Sequence, residues 1–382
     1  MDIMTSTPDS QLPTPKSVVL YLAPWILCLL GGLWTLPVAA EPVLSDRVVE
    51  SSDVETLHEE ALELLQQGNQ PEAFQLWQQE LELRQGLGII PEIQALSRVG
   101  AIAWSEGELV MLRQIMARLD QIQGDVEGTD QETLQELGVA YQQLRSPQSA
   151  VGVYQKLLHL AIEDSNEEQQ NTLLGQIAQT HLNWFDYPQA VAGYEGVLSF
   201  AQEQEDVLTQ IQAYQQLAYS YEQMEEWEGA IATRLNLINL YDRLGQVNSI
   251  PKEQIAIAKH YETLGNLKTS AQLYEQAYLI AFEQQHLAYA AEALQSLGIL
   301  YNNQQKFPEA LAVYRSLLGT QAQAYDAYGM MNTYERIAEI HSALDQREQA
   351  LAALERGLKF AQHLNVRTEY YTELIQGLMN DE

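Results

Sequence analysis

One cysteine, Cys28, stands in 382 residues, which excludes a disulfide framework and any cysteine-based metal site. Nor is it placed as a lipoprotein cysteine, because Trp25-Ile26-Leu27 before it lack the small pair such a site uses. Basic residues are scarce as well: 20 Lys and Arg stand against 52 Asp and Glu, a formal charge of −32. No nucleic-acid partner is expected, since a phosphate backbone needs a basic stripe. A protein with a basic surface would instead be steered in, at a rate that falls as salt rises. The motifs of catalysis are also missing. There is no Gly-rich phosphate loop and no His-Glu-x-x-His zinc helix. The run Asp164-Ser165-Asn166-Glu167-Glu168 starts like a calcium loop but lacks the glycine its sharp turn needs. Ser165-x-x-Glu168 reads more simply as a capping box opening a helix. No cofactor and no metal are expected.

What is present begins with an apolar stretch, residues 17–38, preceded by Lys16 and closed by Val38-Ala39-Ala40 before Glu41. Small residues at those positions fit a signal-peptidase site, so residues 1–40 are expected to be a signal peptide cut after Ala40. The stretch is also long enough, at about 20 residues, to remain as an N-terminal membrane tether. Either way Lys16 stays on the cytoplasmic side and the rest lies across the membrane, in periplasm, outside the cell or in a thylakoid lumen. Residues 41–52 read as a linker.

From Gln131 one set of residue types returns every 40 positions, six times. Leu137, Ile177, Leu217, Ile257, Leu297 and Ile337 are each followed by Gly or Ala. Tyr or His stands three residues further on, and Ala or Ser nine beyond that. Such a period means an array of helical hairpins, each burying its apolar face against the next. Two irregular hairpins are expected over 53–123, off this grid, and six regular ones over 131–366. Gly124 to Asp130, with two glycines and three acids, is expected to be a flexible break on which the first two hairpins pivot. Residues 367–382 read as a helix capping the last apolar face. His181 and His341 stand where other units carry Tyr, which points to packing. Trp184 and Trp227 read as packing at hairpin turns, because Leu144, Met224, Leu264 and Leu344 share the grid position of Trp184.

The pattern resembles the tetratricopeptide repeat family, whose signature Leu-Gly-x2-Tyr then Ala-x3-aromatic is matched by Leu137-Gly138-x2-Tyr141 with Ala150-x3-Tyr154, and by Leu297-Gly298-x2-Tyr301 with Ala310-x3-Tyr314. It departs from the family in a period of 40 rather than 34 and in lacking the closing proline, and so is similar to the longer-helix members. The resemblance implies an all-α, right-handed superhelical solenoid of about eight antiparallel hairpins plus the capping helix. It also implies that the first helix of each pair lines a concave groove. The outward positions of those helices are Gln142, Gln143, Asn183, Glu222, Gln223, Glu262, Asn302 and Asn303, with Tyr219, Lys259 and Glu339 one turn back. Gln143, Asn183, Gln223 and Asn303 share one grid position, completed by Thr263 and Ala343. A side-chain amide offers donors and an acceptor, so a ladder of them suits the main chain of an extended peptide whatever its side chains. The Lys and Asn clamp with which some family members grip a C-terminal carboxylate is not reproduced.

The function these readings support is a non-enzymatic scaffold that binds a protein or peptide during assembly or maturation of an envelope or membrane complex. Two rivals remain. An (α/α) toroid glycoside hydrolase or lyase is also built of helical hairpins, but needs a loop-borne carboxylate pair. A peptide sensor of the long-repeat type needs an effector domain where the leader stands.

Overall fold

The computed structural model describes residues 51–126 and 130–380. The expected leader, most of the expected linker and residues 127–129 lie outside that range. All regular structure among the described residues is helical. The helices pair as α1 (Ser51–Gln66) with α2 (Gln70–Gln85), α3 (Ile89–Glu106) with α4 (Leu109–Asp125), α5 (Gln131–Gln143) with α6 (Pro147–Glu163), and α7 (Glu167–Asn183) with α8 (Tyr187–Glu203). They continue as α9 (Val207–Gln223) with α10 (Trp227–Arg243), α11 (Ile250–Thr263) with α12 (Leu267–Glu283), α13 (Leu287–Asn303) with α14 (Phe307–Gln323), and α15 (Ala327–Ala343) with α16 (Arg347–Leu364). The unpaired α17 (Thr368–Asn380) closes the array, and a 3₁₀ turn, Val247–Ser249, leads into α11. Over the described residues the chain is an all-α solenoid of eight antiparallel hairpins and a terminal helix.

The 40-residue grid resolves into a finer one of 20. From Arg145 to Asn365 every twentieth residue has a left-handed backbone, and only Gly245 and Gly265 among them are glycine. At each of these connections the left-handed N–H bonds the carbonyl three residues back, and the next N–H bonds the carbonyl five back, as with Arg145 to Gln142 and Ser146 to Tyr141. This is the Schellman stop, which satisfies the carbonyls a helix end leaves open. Except before α11 and α17, the residue after it is at once the cap of the following helix. Asn166, Asp206, Asn266 and Asp326 accept from the N–H three residues on. The expected capping box therefore shifts by one: Ser165 is the left-handed residue and Asn166 the cap. Proline takes the first or second helical position in α2, α6, α8, α11 and α14, where its missing N–H costs nothing.

The core is a relay of clusters rather than one centre. The small grid residues Ala150, Ala190, Ala230 and Ala310 are without exposure along it, with large side chains beside them. Gly138 and Gly298 lie against the rings of Tyr154 and Tyr314, and Gly357 in α16 receives Tyr371 of α17 in the same manner. Tyr371 is fully buried and donates to the carbonyl of Met331 at 2.9 Å, so α17 is a true cap.

The expected break at 124–130 falls in part on 127–129, outside the described residues; across it a single cluster runs from Ala61 in α1 to Leu173 in α7. Helix α4 continues through Gly124, Tyr141 of α5 donates back to Asp120 at 2.7 Å, and Ser97 of α3 donates to Gln143. Gly100 leaves room for Leu144, which packs into α3.

Candidate functional site

The last residue of each regular first helix, Gln143, Asn183, Gln223, Thr263, Asn303 and Ala343, is exposed in all six units. The reason is angular: six residues beyond Leu137 and its equivalents, the chain has turned about 240° from the buried direction. Three amides of this row are already anchored through their carbonyl oxygens. Gln143 accepts from Ser97, Asn183 from Gln179 Nε2 at 2.7 Å, and Gln223 from the Tyr187 hydroxyl at 3.4 Å. One turn back, Tyr219 is exposed and meets Tyr187 edge-on, with centroids 6.4 Å apart. Lys259 pairs with Glu292 at 2.9 Å, and Glu339 pairs with Arg336 at 3.3 Å.

The other expected residues form a different row, half buried, in which Gln142, Glu222 and Glu262 bond to side chains of neighbouring helices. Gln142 donates to Thr180 Oγ1 of the next first helix at 2.6 Å. Glu262 accepts from the Tyr274 hydroxyl at 2.5 Å and from Ser270 at 3.4 Å, and Asn302 is half buried. Glu222 accepts from Arg234 Nη2 at 2.6 Å and lies 2.8 Å from His260 Nε2, while Arg234 also bonds the buried Glu253. Burial pushes the Glu222 carboxyl up, but the bonds from His260 and Arg234 outweigh it and hold the group below the usual carboxylate range. This cluster replaces a packing contact, since Arg234 stands where four of the other five units carry Tyr154, Tyr194, Tyr274 and Tyr314 and the last carries Leu354.

Two features lie beyond the expected set. On the same face as Glu339, a cavity of about 290 Å³ opens between α13, α14 and α15, lined by Gln295, Tyr314, Asn332, Arg336 and Arg367. The hydroxyl of Tyr314 is buried there without a hydrogen-bond partner. Burial pushes this phenol up to about 12, against the pull of Arg336. Sequence periodicity marked Tyr314 as core, which it is, but gave no sign that its polar end reaches a cavity. The second feature is at the turn after α7. Trp184 is 37% exposed and Phe185, in the left-handed position, 72%. The packing expected of Trp184 is thus only partial, because Leu264 and Leu344 at the same grid position are also exposed. Trp227, by contrast, packs on His260 with ring centroids 5.3 Å apart. His181 and His341 each pin the cap residue of the following helix, Nδ1 lying 3.1 Å from Asp186 and 2.7 Å from Gln346. Among the described residues no group of His, Cys, Asp and Glu is arranged to hold a metal, and no helix is long and apolar enough to cross a membrane.

No protein-family model matches the chain, and no curated protein matches it. Solved structures do. The apo form of RapI is 14% identical, with 85% of this chain and 97% of that one covered and a TM-score of 0.44. A tetratricopeptide-containing protein of Cytophaga hutchinsonii is 11% identical over 69% and 95% of the two chains, with a TM-score of 0.42. A signal-transduction ATPase with a tetratricopeptide sensor from Pyrococcus horikoshii is 11% identical over 81% of this chain, at a TM-score of 0.46. This chain spans only 50% of that protein. At such values the likeness carries no function across, and the tetratricopeptide-like character of the fold rests on this chain's own hairpins and their Gly–Tyr contacts.

Proposed function

We propose that the chain is a scaffold that binds and does not transform. It holds a protein or an extended peptide along the exposed row from Gln143 to Ala343, beyond a membrane, during assembly or maturation of an envelope or membrane complex. One observation carries the binding half: the same helix-end position is exposed in six successive units, and four of the six carry an amide. In Gln143, Asn183 and Gln223 the internal bond uses the carbonyl oxygen, and their N–H donors make no hydrogen bond among the described residues. Donors repeated at the period of the array suit the repeated carbonyls of an extended main chain. The unpartnered Tyr314 hydroxyl and the loosely paired Arg336 add a polar subsite on the same face. The exported half rests on the apolar stretch 17–38 and the small residues before Glu41.

The test is selection of binders from a random peptide library, followed by titration. With Gln143, Asn183, Gln223 and Asn303 all changed to alanine, loss of four hydrogen bonds of about 0.5–1.5 kcal/mol each should weaken the selected peptides at least tenfold. Affinity indifferent to the four changes removes the row as the site. Protease accessibility of the array in intact cells and in inside-out vesicles tests the compartment separately.

A further inference from the structure

We propose that the cavity beside Trp184 receives one arginine or lysine side chain from an extended segment of a partner protein. The cavity, of about 390 Å³, lies between the start of α6 and the α7–α8 turn, with Val151, Gly152, Gln155, His181, Trp184 and Asp186 among its walls. Its volume falls in the range of small-ligand clefts. Each wall suits a different part of a long cationic side chain. Val151 offers apolar surface for the methylene stem, and a Cβ added at Gly152 would meet nothing, so the floor is open. The partly exposed indole of Trp184 presents the aromatic face that attracts a cation best. At the mouth stands the Asp186 carboxylate. Asp186 occupies a helix cap, yet unlike Asp206 and Asp326 it makes no capping bond with its side chain, and its partner is the His181 ring. A carboxylate, an indole and an apolar wall are the parts of a cation pocket.

Charge favours the same occupant. Residues 157–233 contain thirteen Asp and Glu and no Lys or Arg, and Lys156 on α6 does not line the cavity. A second copy of this acidic chain, a nucleic acid or an anionic membrane is repelled there, whereas a basic segment is drawn in. The molecule already makes such a pairing internally at an earlier turn, where the guanidinium carbon of Arg145 lies 5.2 Å from the Trp104 ring centre. One unit on, the grid position of Arg145 is held by Phe185, and two units on by Glu225. No cation stands over Trp184 among the described residues.

The pocket deepens the peptide-binding reading but stands at the turn edge, so the two can fail separately. The test uses the full chain and a synthetic Arg-Pro-Arg-Pro-Arg peptide, titrated by calorimetry beside two copies of it, one with citrulline and one with norleucine in place of arginine. Two conservative variants keep the fold: Trp184→Leu installs the residue that Leu144, Leu264 and Leu344 carry, and Asp186→Asn installs the cap that Asn166 and Asn266 use. Each should weaken the arginine peptide about five- to tenfold. The citrulline peptide should bind at least tenfold more weakly than the arginine one. Glu348→Gln, an equal charge change on a remote unit, should alter affinity less than twofold. Absence of binding, equal binding of the norleucine peptide, an equal effect of Glu348→Gln, or indifference to both pocket variants overturns the proposal. Loss of library-selected peptides in the four-alanine variant with the arginine peptide still bound sinks the pocket's part in nothing and concerns the amide row alone.

Discussion

Gly138 and Tyr154 share one volume: a Cβ on the glycine would lie closer to the tyrosine ring than any real Cβ sits, and Gly298 and Tyr314 repeat the relationship 160 residues on. The side chain that must yield is a fully buried ring with no free end to swing. Gly138→Ala and Gly298→Ala should each cost about 1–3 kcal/mol through overpacking, despite alanine's better helix propensity. Gly152→Ala, where the added carbon meets nothing, should instead stabilise the interior of α6 by a few tenths of a kcal/mol or more. Urea midpoints of the three variants check the contrast. A loss of equal size at Gly152 would mean that crowding against the tyrosine rings does not set the cost, since helix propensity favours alanine at all three positions.

The hydroxyl of Tyr154 is buried without a partner, while that of Tyr274 donates to Glu262. Tyr154→Phe removes an unmet polar group and should raise stability by about 1 kcal/mol, whereas Tyr274→Phe should lower it by a similar amount. Thermal unfolding at neutral pH distinguishes the pair.

Burial pushes the phenols of Tyr154, Tyr194 and Tyr314 up to about 12 in the folded chain. Unfolded tyrosine ionises near 10. Between those values the unfolded state releases protons that the folded state retains, so stability is complete below about pH 10 and falls as pH rises towards 12. Denaturant midpoints from pH 8 to 12 should show this decline, less steep in Tyr154→Phe. A flat profile would mean that these rings ionise in place.

Arg234 and Glu253 replace a packing contact with a charged one. Glu253 is 2% exposed, so Arg234→Tyr, which restores the residue of the neighbouring units, should cost about 3–5 kcal/mol by stranding that carboxylate. Adding Glu253→Thr, the residue that Thr133 and Thr333 supply at the same grid position, should recover at least half. A double-mutant cycle measures the coupling. Strictly additive losses would show that the two side chains act independently.

Gln285 and Gln305 hold left-handed conformations that cost a side chain about 1 kcal/mol. Gln285→Gly and Gln305→Gly should therefore stabilise the array by up to about 1 kcal/mol, less the backbone entropy glycine loses, while Gly265→Ala should destabilise it. Melting temperatures moving the other way would place the strain elsewhere in the turn.

The repeat and its register were legible because Leu, Ala and Tyr recur at buried grid positions, and burial is what selects residue type. The turns were less so. Arg145, Phe185 and Tyr325 carry no turn signature, yet all are left-handed, since the Schellman bonds are made by backbone groups that any residue supplies. The capping box at Ser165 was misplaced for that reason. The composition of Gly124 to Asp130 reports local preference alone, while the contacts that hold α3 to α5, such as Ser97 to Gln143, are distant in sequence. At the site, exposure of Gln143, Asn183, Gln223 and Asn303 followed from helical angle alone. The inward commitment of Gln142, Glu222 and Glu262 did not, because their partners belong to other helices.

From Arg145 to Asp345 each connection carries the same left-handed stop, whether it joins a first helix to a second or a second to the next first, with a 3₁₀ turn added only before α11. The array thus has a reading phase. Deleting one helix with its turn, 20 residues, would leave each junction chemically intact yet exchange the roles of all helices downstream, turning the amide row inward and the small-residue seams outward. Only excisions of 40 residues preserve phase. Shortened or lengthened forms of this chain are expected to survive in even steps, and the lone α17 to mark where the count stops.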